Sequence, residues 1–434
     1  MPDTVQSVPD TQRAQARRAA EAGQLSAAQA AYAALLQASP DDVEALNFLA
    51  VLALSEGRHV RARELLEHAL AVEPGDAPTR KNLGLALLHS GDPERARYVL
   101  QPAVDELPNY YVARLYLGVA LERMGQQRQA VTEYLRALTA AHSEGQWRDA
   151  AGTPAGLRPV VAHAAEVVRS GYPALLRAVL APLRERHGAA AMARVEKCLA
   201  GYLGEISVQS DHPDQKATFL YFPDLPAMPF LPRELFPWYA EMEASTDAIR
   251  DELLAVLEAD AQLVPFLGEP PPGMKSSYLD GRGDITPQWD GLFFHRHGLR
   301  HDANCDRCPR TAAALDAAPT VHIRGHAPES LFSVLGAGSH ILPHTGVTNT
   351  RVVTHLPLLV PGECALRVVD QRHEWQEGRC ITFDDTFEHE AWNHSDRTRV
   401  ILLFDVWNPY LSEVEQVAIT ELVAAIGDLK GDQL

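Results

Sequence analysis

Cysteine is scarce in this sequence, and long apolar runs are missing from it. Five cysteines lie scattered among 434 residues. An odd, sparse set of this kind does not build a disulfide framework, so we expect a reducing, cytoplasmic setting. No apolar run reaches the roughly 18 residues that a membrane span needs, and the first residues lack the apolar segment of a signal peptide. We therefore expect neither a membrane anchor nor export.

Positive charge is also in short supply. Lys and Arg total 39 against 57 Asp and Glu, which gives a formal net charge of −18. That charge disfavours nucleic acid and anionic membranes as partners, although a local basic pocket for a small anion stays possible. The sequence also lacks a Walker loop, a dinucleotide fingerprint, a nucleophile elbow and an HExxH motif, which disfavours those enzyme classes.

Cys305 and Cys308 form the single CxxC pair in the chain. A structural zinc site needs a second pair at similar spacing, and the sequence has none. We therefore favour a loop with two thiols over a redox or metal role, which stays as the alternative.

The first part of the chain repeats every 34 residues. The repeat is visible in three series of small residues and prolines: Gly23, Gly57, Gly91 and Gly125; Ala28, Ala62, Ala96 and Ala130; Pro40, Pro74 and Pro108. The pattern resembles the tetratricopeptide repeat, which implies about four antiparallel helix pairs stacked into a solenoid over residues 7–140. The groove of such a stack binds peptides or proteins, so we expect it to hold a substrate or partner. A dimerisation or spacer module is the alternative, and the sequence does not predict the oligomeric state.

The character of the chain changes twice after the repeats. Residues 141–214 keep apolar residues at helical spacing, which predicts a helical cap or linker. From residue 289 short runs rich in Val, Ile, Leu and Phe alternate with turn residues, as in a β-sandwich or barrel. The fold class we predict is multidomain α + β. An all-α tetratricopeptide-repeat solenoid is followed, over residues 215–434, by a double-stranded β-helix of jelly-roll or cupin type.

Two histidines of this β-rich part are candidate metal ligands. His344 and His389 lie 45 residues apart, a distance that lets two strands bring them together. Two neutral imidazoles suit Fe(II), Zn(II) or Cu(II), whereas the alternative is two ordinary core or surface histidines. The usual iron triad has a carboxylate two residues after the first histidine, and here that residue is Gly346. Four nearby carboxylates could replace it: Asp384, Asp385, Glu388 and Glu390.

Arg399 is a candidate anion-binding residue. It lies on the apolar strand RVILLFDVW, where an arginine needs an anionic partner. A guanidinium facing the metal would suit a dicarboxylate cosubstrate, because it binds carboxylate through two hydrogen bonds. The alternative is an ion pair with Asp384 or Asp405.

Three segments together resemble the aspartyl/asparaginyl β-hydroxylase family over roughly residues 215–410. They are Phe332-Ser333-Val334-Leu335, HILPHTGVTNTRVVTHLPL and EGRCITFDDTFEHEAWNHSDRTRVILLFDVWNP. The resemblance implies a dioxygenase that uses Fe(II), 2-oxoglutarate and O₂. This family holds iron with two histidines and no carboxylate, which accounts for Gly346.

The resemblance also implies roles for single residues. His344 and His389 would bind iron, while Arg399 and Ser333 would bind the distal carboxylate of 2-oxoglutarate. His355 would lie beside the other carboxylate of the cosubstrate.

One position departs from the family pattern. Animal members have an arginine two residues before the equivalent of His355, and this sequence has Val353. Arg351 lies on the same strand face by alternation, so we expect it to compensate in part. Trp392 is expected to pack the barrel rather than to contact substrate.

The predicted activity is hydroxylation of an unactivated carbon. The first substrate candidate is the β-carbon of Asp or Asn in a peptide or protein. A free amino acid or a lipid acyl chain is the second. A non-catalytic repeat scaffold with a carboxylate-binding jelly roll stays open, as does a zinc cupin.

Overall fold

The computed structural model describes residues 8–259, 263–268, 277–283 and 285–431. They form two compact units, one comprising the chain up to Leu175 with Leu429–Gly431, and the other Leu176–Asp428. The predicted boundaries at 7–140, 141–214 and 215–434 stay predictions. In the described part of the chain, no helix is both long enough and apolar enough to cross a lipid bilayer.

Consecutive helices of the first unit pack on one another, as the predicted repeat requires. Their bounds are α1 Val8–Glu21, α2 Leu25–Ala38, α3 Val43–Ser55, α4 His59–Val72, α5 Ala77–His89, α6 Pro93–Glu106, α7 Tyr111–Arg123 and α8 Gln127–Ser143. The glycines spaced 34 residues apart explain the turns, because each adopts a left-handed backbone with φ between 70° and 77°. The alanines of the parallel series are fully buried where helices meet. The prediction of helical repeats is confirmed.

Two further glycines set how closely paired helices approach. A methyl group on Gly84 would lie 2.5 Å from the Leu100 side chain, and one on Gly118 would lie 2.5 Å from the Tyr134 ring. We expect Gly84→Ala or Gly118→Ala to lower the free energy of unfolding by about 1–3 kcal/mol, because overpacking forces the helices apart. Urea unfolding of the full chain measures the effect. Gly75→Ala is the matched control, since a methyl group there meets no atom within 4 Å, and equal losses at Gly75 and Gly84 would contradict the packing argument.

The second unit combines helices with strands. Its helical segments are the part of α9 (Arg158–Tyr202) that follows Leu175, a 3₁₀ turn at Arg233–Leu235, α10 Tyr239–Ala244, α11 Thr246–Glu258, α12 Asp302–Arg307, α13 Pro309–Ala317 and the part of α14 (Glu413–Lys430) up to Asp428. The strands are β1 Val264–Pro265, β2 Leu279–Gly281, β3 Trp289–Arg296, β4 Leu299–Arg300, β5 Ser330–Leu335, β6 Ser339–His344, β7 Arg351–Leu359, β8 Cys364–Val368, β9 Gln371–His373, β10 Ile381–Phe383, β11 His389–Asn393 and β12 Arg399–Trp407. Helix α9 is interrupted at Gly188, which has φ 83°.

The strands form two antiparallel sheets. The larger has the order β1-β3-β5-β12-β7-β10 with β4 added to β3, and the smaller has the order β2-β6-β11-β8-β9. Apolar residues of both sheets share one core, including Leu335 and Ile401 from the larger sheet and Ile341 and Leu366 from the smaller. The predicted antiparallel β domain behind helical repeats is confirmed. Strand β12 is central, with β5 and β7 as its neighbours.

Only one of the two CxxC cysteines lies in a connection between helices, which partly corrects the sequence-based interpretation of a loop with two thiols. Cys305 lies inside α12, and Cys308 lies between α12 and α13; both are buried in the core against the larger sheet. Burial raises the pKa of Cys308 to about 11, so this thiol stays protonated at neutral pH. None of the five cysteines forms a disulfide. We conclude that the pair packs the core.

Candidate active site

A cavity of about 230 Å³ opens among the side chains of the two sheets. It is lined by the six candidate iron- and cosubstrate-binding residues: His344, His389, Ser333, His355, Arg399 and Arg351. Apolar side chains from both sheets form most of the remaining wall. The strands that carry these residues are distant in sequence, and the sheet register brings them together.

His344 and His389 face each other at the cavity. His344 ends β6, His389 begins β11, and the two residues are partners in the sheet register. Their ring centroids lie 4.1 Å apart. The Nδ1 atom of His344 donates to the Leu342 carbonyl at 2.8 Å, and that of His389 donates to the Phe387 carbonyl at 3.0 Å. Because a carbonyl only accepts, both rings carry their proton on Nδ1 and keep the Nε2 lone pair for a metal.

Burial keeps both imidazoles neutral. It lowers the pKa of His389 to about 3, with His344 contributing, and it also lowers the pKa of His344. Within the described ranges, no group of three or more His, Cys, Asp or Glu side chains is arranged to hold a metal ion. The cavity therefore offers two protein ligands, both in the form that binds a metal.

Of the four carboxylates that could have replaced the missing ligand, one lines the cavity. A Cβ atom on Gly346 would lie 2.2 Å from the Asp385 carboxyl carbon. The carboxylate of Asp385 thus fills the space that a side chain at position 346 would need. Burial raises the pKa of Asp385 to about 7, against the opposing effect of Arg351.

The other three carboxylates have different partners or face solvent. Asp384 accepts a hydrogen bond from Gln215 at 2.7 Å and others from Thr386. Glu390 pairs with Arg367 and His340, and Glu388 is exposed. Only the fold distinguishes Asp385 from these neighbours.

Arg399 is buried in the cavity without a carboxylate partner. Only 1% of the Arg399 residue is exposed to solvent. Within the described residues, its Nε and Nη2 atoms have no hydrogen-bond partner. The predicted alternative, an ion pair with Asp384 or Asp405, is wrong, because Asp405 pairs with Arg351. Burial lowers the pKa of Arg399 to about 10, which leaves it charged at neutral pH. A buried, uncompensated guanidinium is costly, so this end of the cavity is built for an anion.

Ser333 is held at the same end by a tryptophan that sequence reasoning missed. Trp289 donates from Nε1 to the Ser333 hydroxyl at 3.0 Å, which leaves the hydroxyl proton free to point into the cavity. Ser333 pairs in register with Ile401, which lies two residues along β12 from Arg399. The indole of Trp289 stacks on Phe266 with ring centroids 4.1 Å apart.

His355 has the opposite tautomer to the two candidate ligands. Trp375 donates from its indole Nε1 to Nδ1 of His355 at 3.3 Å. An indole nitrogen only donates, so Nδ1 of His355 accepts and its Nε2 carries the proton. Burial, with Arg399 contributing, keeps the pKa of His355 well below its usual range. His355 is therefore a neutral N–H donor toward an anion.

Trp375 contacts two residues of the anion-binding end, His355 and Arg399. Besides its hydrogen bond to His355, its ring lies 5.0 Å from the guanidinium carbon of Arg399, within cation–π distance. No motif in the sequence indicated Trp375, because its two partners lie on β7 and β12.

Two expectations need correction. Arg351 does share a strand face with Val353 and His355, but its guanidinium pairs with Asp405. It also lies four residues along β7 from His355, about 13 Å, so its position does not support the predicted help in binding the cosubstrate. Trp392 does not pack the interior: it lies against His394 on the outer face of the smaller sheet.

Comparison with known protein families gives three matches, one in the β-rich part of the chain and two in the repeats. Residues 243–409 match the family described as Aspartyl/Asparaginyl beta-hydroxylase. Residues 19–83 and 81–146 each match the Tetratricopeptide repeat.

Among curated relatives, an ornithine lipid ester-linked acyl 2-hydroxylase of Rhizobium tropici is 37% identical over 180 residues, 41% of this chain and 59% of the relative. An aspartyl/asparaginyl beta-hydroxylase of Homo sapiens is 35% identical over 174 residues, 39% of this chain and 21% of the relative. The chain thus spans less than two thirds of either relative. Among solved structures, an O-GlcNAc transferase mutant of Thermobaculum terrenum is 30% identical with a TM-score of 0.30, over 32% of this chain and 28% of that one.

Proposed function

We propose that this chain is an Fe(II)- and 2-oxoglutarate-dependent dioxygenase, because residues 243–409 match the aspartyl/asparaginyl β-hydroxylase family and follow two tetratricopeptide-repeat matches. One observation carries the proposal: two neutral histidines with available Nε2 atoms share a cavity with a buried, uncompensated Arg399. Bound Fe(II), with 2-oxoglutarate and O₂, would supply the oxidising capacity to convert a C–H bond to C–OH. The 2-oxoglutarate would be oxidised to succinate and CO₂.

The residues of this chain divide the binding work. His344 and His389 would hold the iron. Arg399 and the Ser333 hydroxyl would bind the distal carboxylate of 2-oxoglutarate, and the His355 N–H would face its other carboxylate. The apolar walls of both sheets keep water from the reacting groups, which strengthens each of these charged contacts.

The rival functions explain fewer of these features. A scaffold that only bound a carboxylate would have no need for two histidines in the metal-binding tautomer. A zinc cupin with hydrolase or isomerase activity would have no need for Arg399 and Ser333 as an anion-binding site.

The first substrate candidate is the β-carbon of an Asp or Asn residue in a peptide or protein. A free amino acid or a lipid acyl chain is the second candidate. The names of the two relatives support one class each. A cytoplasmic location stays a prediction.

The repeats would supply binding for a peptide or protein partner. The polar lining of their groove between successive helices is five carboxylates, two asparagines and one arginine, namely Asp41, Asp42, Glu44, Glu73, Asp76, Asn47, Asn82 and Arg13. Arg13 pairs with Asp42 at 2.7 Å, so the carboxylates outnumber the cations. Carboxylates of this density favour a partner segment with basic residues.

An anaerobic titration with Fe(II) and 2-oxoglutarate tests the proposal. Bidentate chelation of Fe(II) by 2-oxoglutarate gives a weak visible charge-transfer band, which we expect only after both additions. Admission of O₂ should then produce succinate. A folded protein that binds Fe(II) tightly but shows no band would contradict the dioxygenase proposal and favour the scaffold or zinc-cupin alternatives.

We expect Trp375→Phe to raise the KM for 2-oxoglutarate about tenfold while kcat changes much less. The substitution keeps an aromatic ring under Arg399 but removes the hydrogen bond that fixes the His355 tautomer, and one such bond is worth about 1.5 kcal/mol. Steady-state succinate formation measures both constants. Trp392→Phe, on the outer face of the smaller sheet, is the matched control, and equal effects of the two substitutions would exclude a specific role for Trp375.

A further inference from the structure

The cavity has a closed end and an open end. Arg399 and Ser333 mark the closed end, where both residues are 1% exposed. The opposite end is open: the side chains of Glu329 and Arg351 are 16% and 15% exposed, and Val347 is 37% exposed. A substrate must therefore approach past Glu329, Arg351 and Val347.

The two candidate metal-binding histidines, His344 and His389, line the same cavity. Phe383 contacts the His389 ring, with centroids 5.3 Å apart, and pairs in register with Val353. Val353 in turn pairs with Asp405. We therefore place the reacting carbon of the substrate near Val353. The groups attached to that carbon would face the residues of the open end.

The open end holds more carboxyl groups than cations. Glu329, Asp385 and Asp405 line it, and Arg351 is the one cation that lines it in the described part of the cavity. Arg351 is already paired with Asp405. Arg296, whose charge also reaches Glu329, lies over the Phe293 ring at 4.4 Å and donates to the Phe266 carbonyl. The His297 Nδ1 atom lies 3.0 Å from Oε1 of Glu329, but burial lowers the pKa of this imidazole, so it adds no cation at neutral pH.

The excess of carboxyl groups over cations is accompanied by a raised pKa at the open end. Burial, with Asp405 contributing, raises the pKa of Glu329 to about 7. A substrate carboxylate placed here would lose its water and meet like charges, an effect worth one or more pKa units in comparable carboxylate pairs. Hydrogen-bond donors, by contrast, would find acceptors, since Oδ1 of Asp385 is buried without a partner in the described residues.

We infer that Glu329 determines specificity at the open end by excluding a carboxylate, and that the reacting group is an uncharged, asparagine-type carboxamide. This inference rests on the proposed function. The methylene beside the amide would lie near Val353, and the amide N–H₂ would donate to the carboxyl groups of Glu329 and Asp385. The reaction replaces one C–H bond of that methylene by C–OH, while O₂ supplies the oxygen and 2-oxoglutarate is oxidised to succinate and CO₂.

Two nearly isosteric probes test the inference. N-acetyl-asparagine amide and N-acetyl-aspartate amide differ chiefly in charge at neutral pH. Each is titrated into the full chain loaded with Fe(II) and 2-oxoglutarate, first without O₂ to follow the shift of the charge-transfer band, then in air to measure succinate above the probe-free rate. We expect half-saturation by the asparagine probe at a concentration at least about tenfold lower, since one pKa unit corresponds to a tenfold ratio.

Glu329→Gln separates charge from structure. Glu329 accepts the His297 backbone N–H at 2.6 Å, and a glutamine oxygen can accept it too. We expect the preference for the asparagine probe to fall at least threefold in this variant and to stay unchanged in Glu413→Gln, an exposed carboxyl group of the same unit.

Equal or stronger binding of the aspartate probe, or an unchanged preference in Glu329→Gln, would overturn the inference. Methyl octanoate serves as a third probe in the same titration. A response to neither amino-acid probe would also overturn the inference, and a response to methyl octanoate alone would indicate an acyl substrate. The band formed by Fe(II) and 2-oxoglutarate before any probe is added reports the proposed function separately. Failure of the specificity inference therefore leaves that band intact.

Discussion

Replacement of His344 by alanine should abolish the Fe(II)–2-oxoglutarate charge-transfer band and lower succinate formation at least about 100-fold. The structure supplies two histidines and, within the described residues, no third metal-binding partner. Loss of a residue that merely supports a ligand already costs 10- to about 100-fold in metal affinity or activity. Loss of one of two ligands should cost more. His389→Ala should behave in the same way.

His340→Ala is the matched control for this experiment. His340 lies on the same strand, β6, but pairs with Glu390 at 2.8 Å rather than lining the cavity. It should keep the band and the rate within about twofold of the unmodified chain, because this partly buried pair does not line the cavity. Comparable iron affinity in His344→Ala and His340→Ala, measured on proteins with intact thermal transitions, would rule out the two-histidine site.

Replacement of Arg399 by methionine should have effects of opposite sign on cosubstrate binding and on stability. Truncating one partner of a buried charge pair costs about 2–5 kcal/mol, so the KM for 2-oxoglutarate should rise roughly 30- to 3,000-fold. Without cosubstrate, the guanidinium is buried, and two of its nitrogens have no hydrogen-bond partner among the residues that the structure describes. Its replacement by an apolar side chain of similar length should therefore stabilise the cosubstrate-free protein, by about 1–4 kcal/mol.

Thermal unfolding with and without 2-oxoglutarate, in the presence of a divalent metal, measures both effects in one experiment. The unmodified chain should gain stability on adding cosubstrate, whereas Arg399→Met should start from a higher midpoint and gain little. Arg399→Lys should fall between them, because lysine keeps the charge but cannot bind a carboxylate through a planar fork. If Arg399→Met lowers the midpoint and still responds fully to 2-oxoglutarate, Arg399 is a structural residue and not the anion-binding one.

The sequence alone was sufficient for the features that depend on local pattern. A 34-residue period identified the repeats, because each unit must place a glycine at a left-handed turn and an alanine where its helices meet. Runs of β-branched and aromatic residues between turn residues identified the strands. The resemblance to aspartyl/asparaginyl β-hydroxylases assigned roles to Ser333, His344, His355, His389 and Arg399, and strand alternation added Arg351. All six line one cavity.

Tertiary structure alone decided which neighbours complete that site. Trp375 and Trp289 became visible only once the strand register placed their indoles against His355 and Ser333. Asp384 and Asp385 are adjacent in the chain and alike in chemistry, yet one binds Gln215 and the other fills the space beside Gly346. The pairing of Arg351 with Asp405, 54 residues away, left Arg399 as the uncompensated cation. These outcomes depend on contacts between distant strands, and no local pattern encodes which of several equivalent side chains the register will bring together.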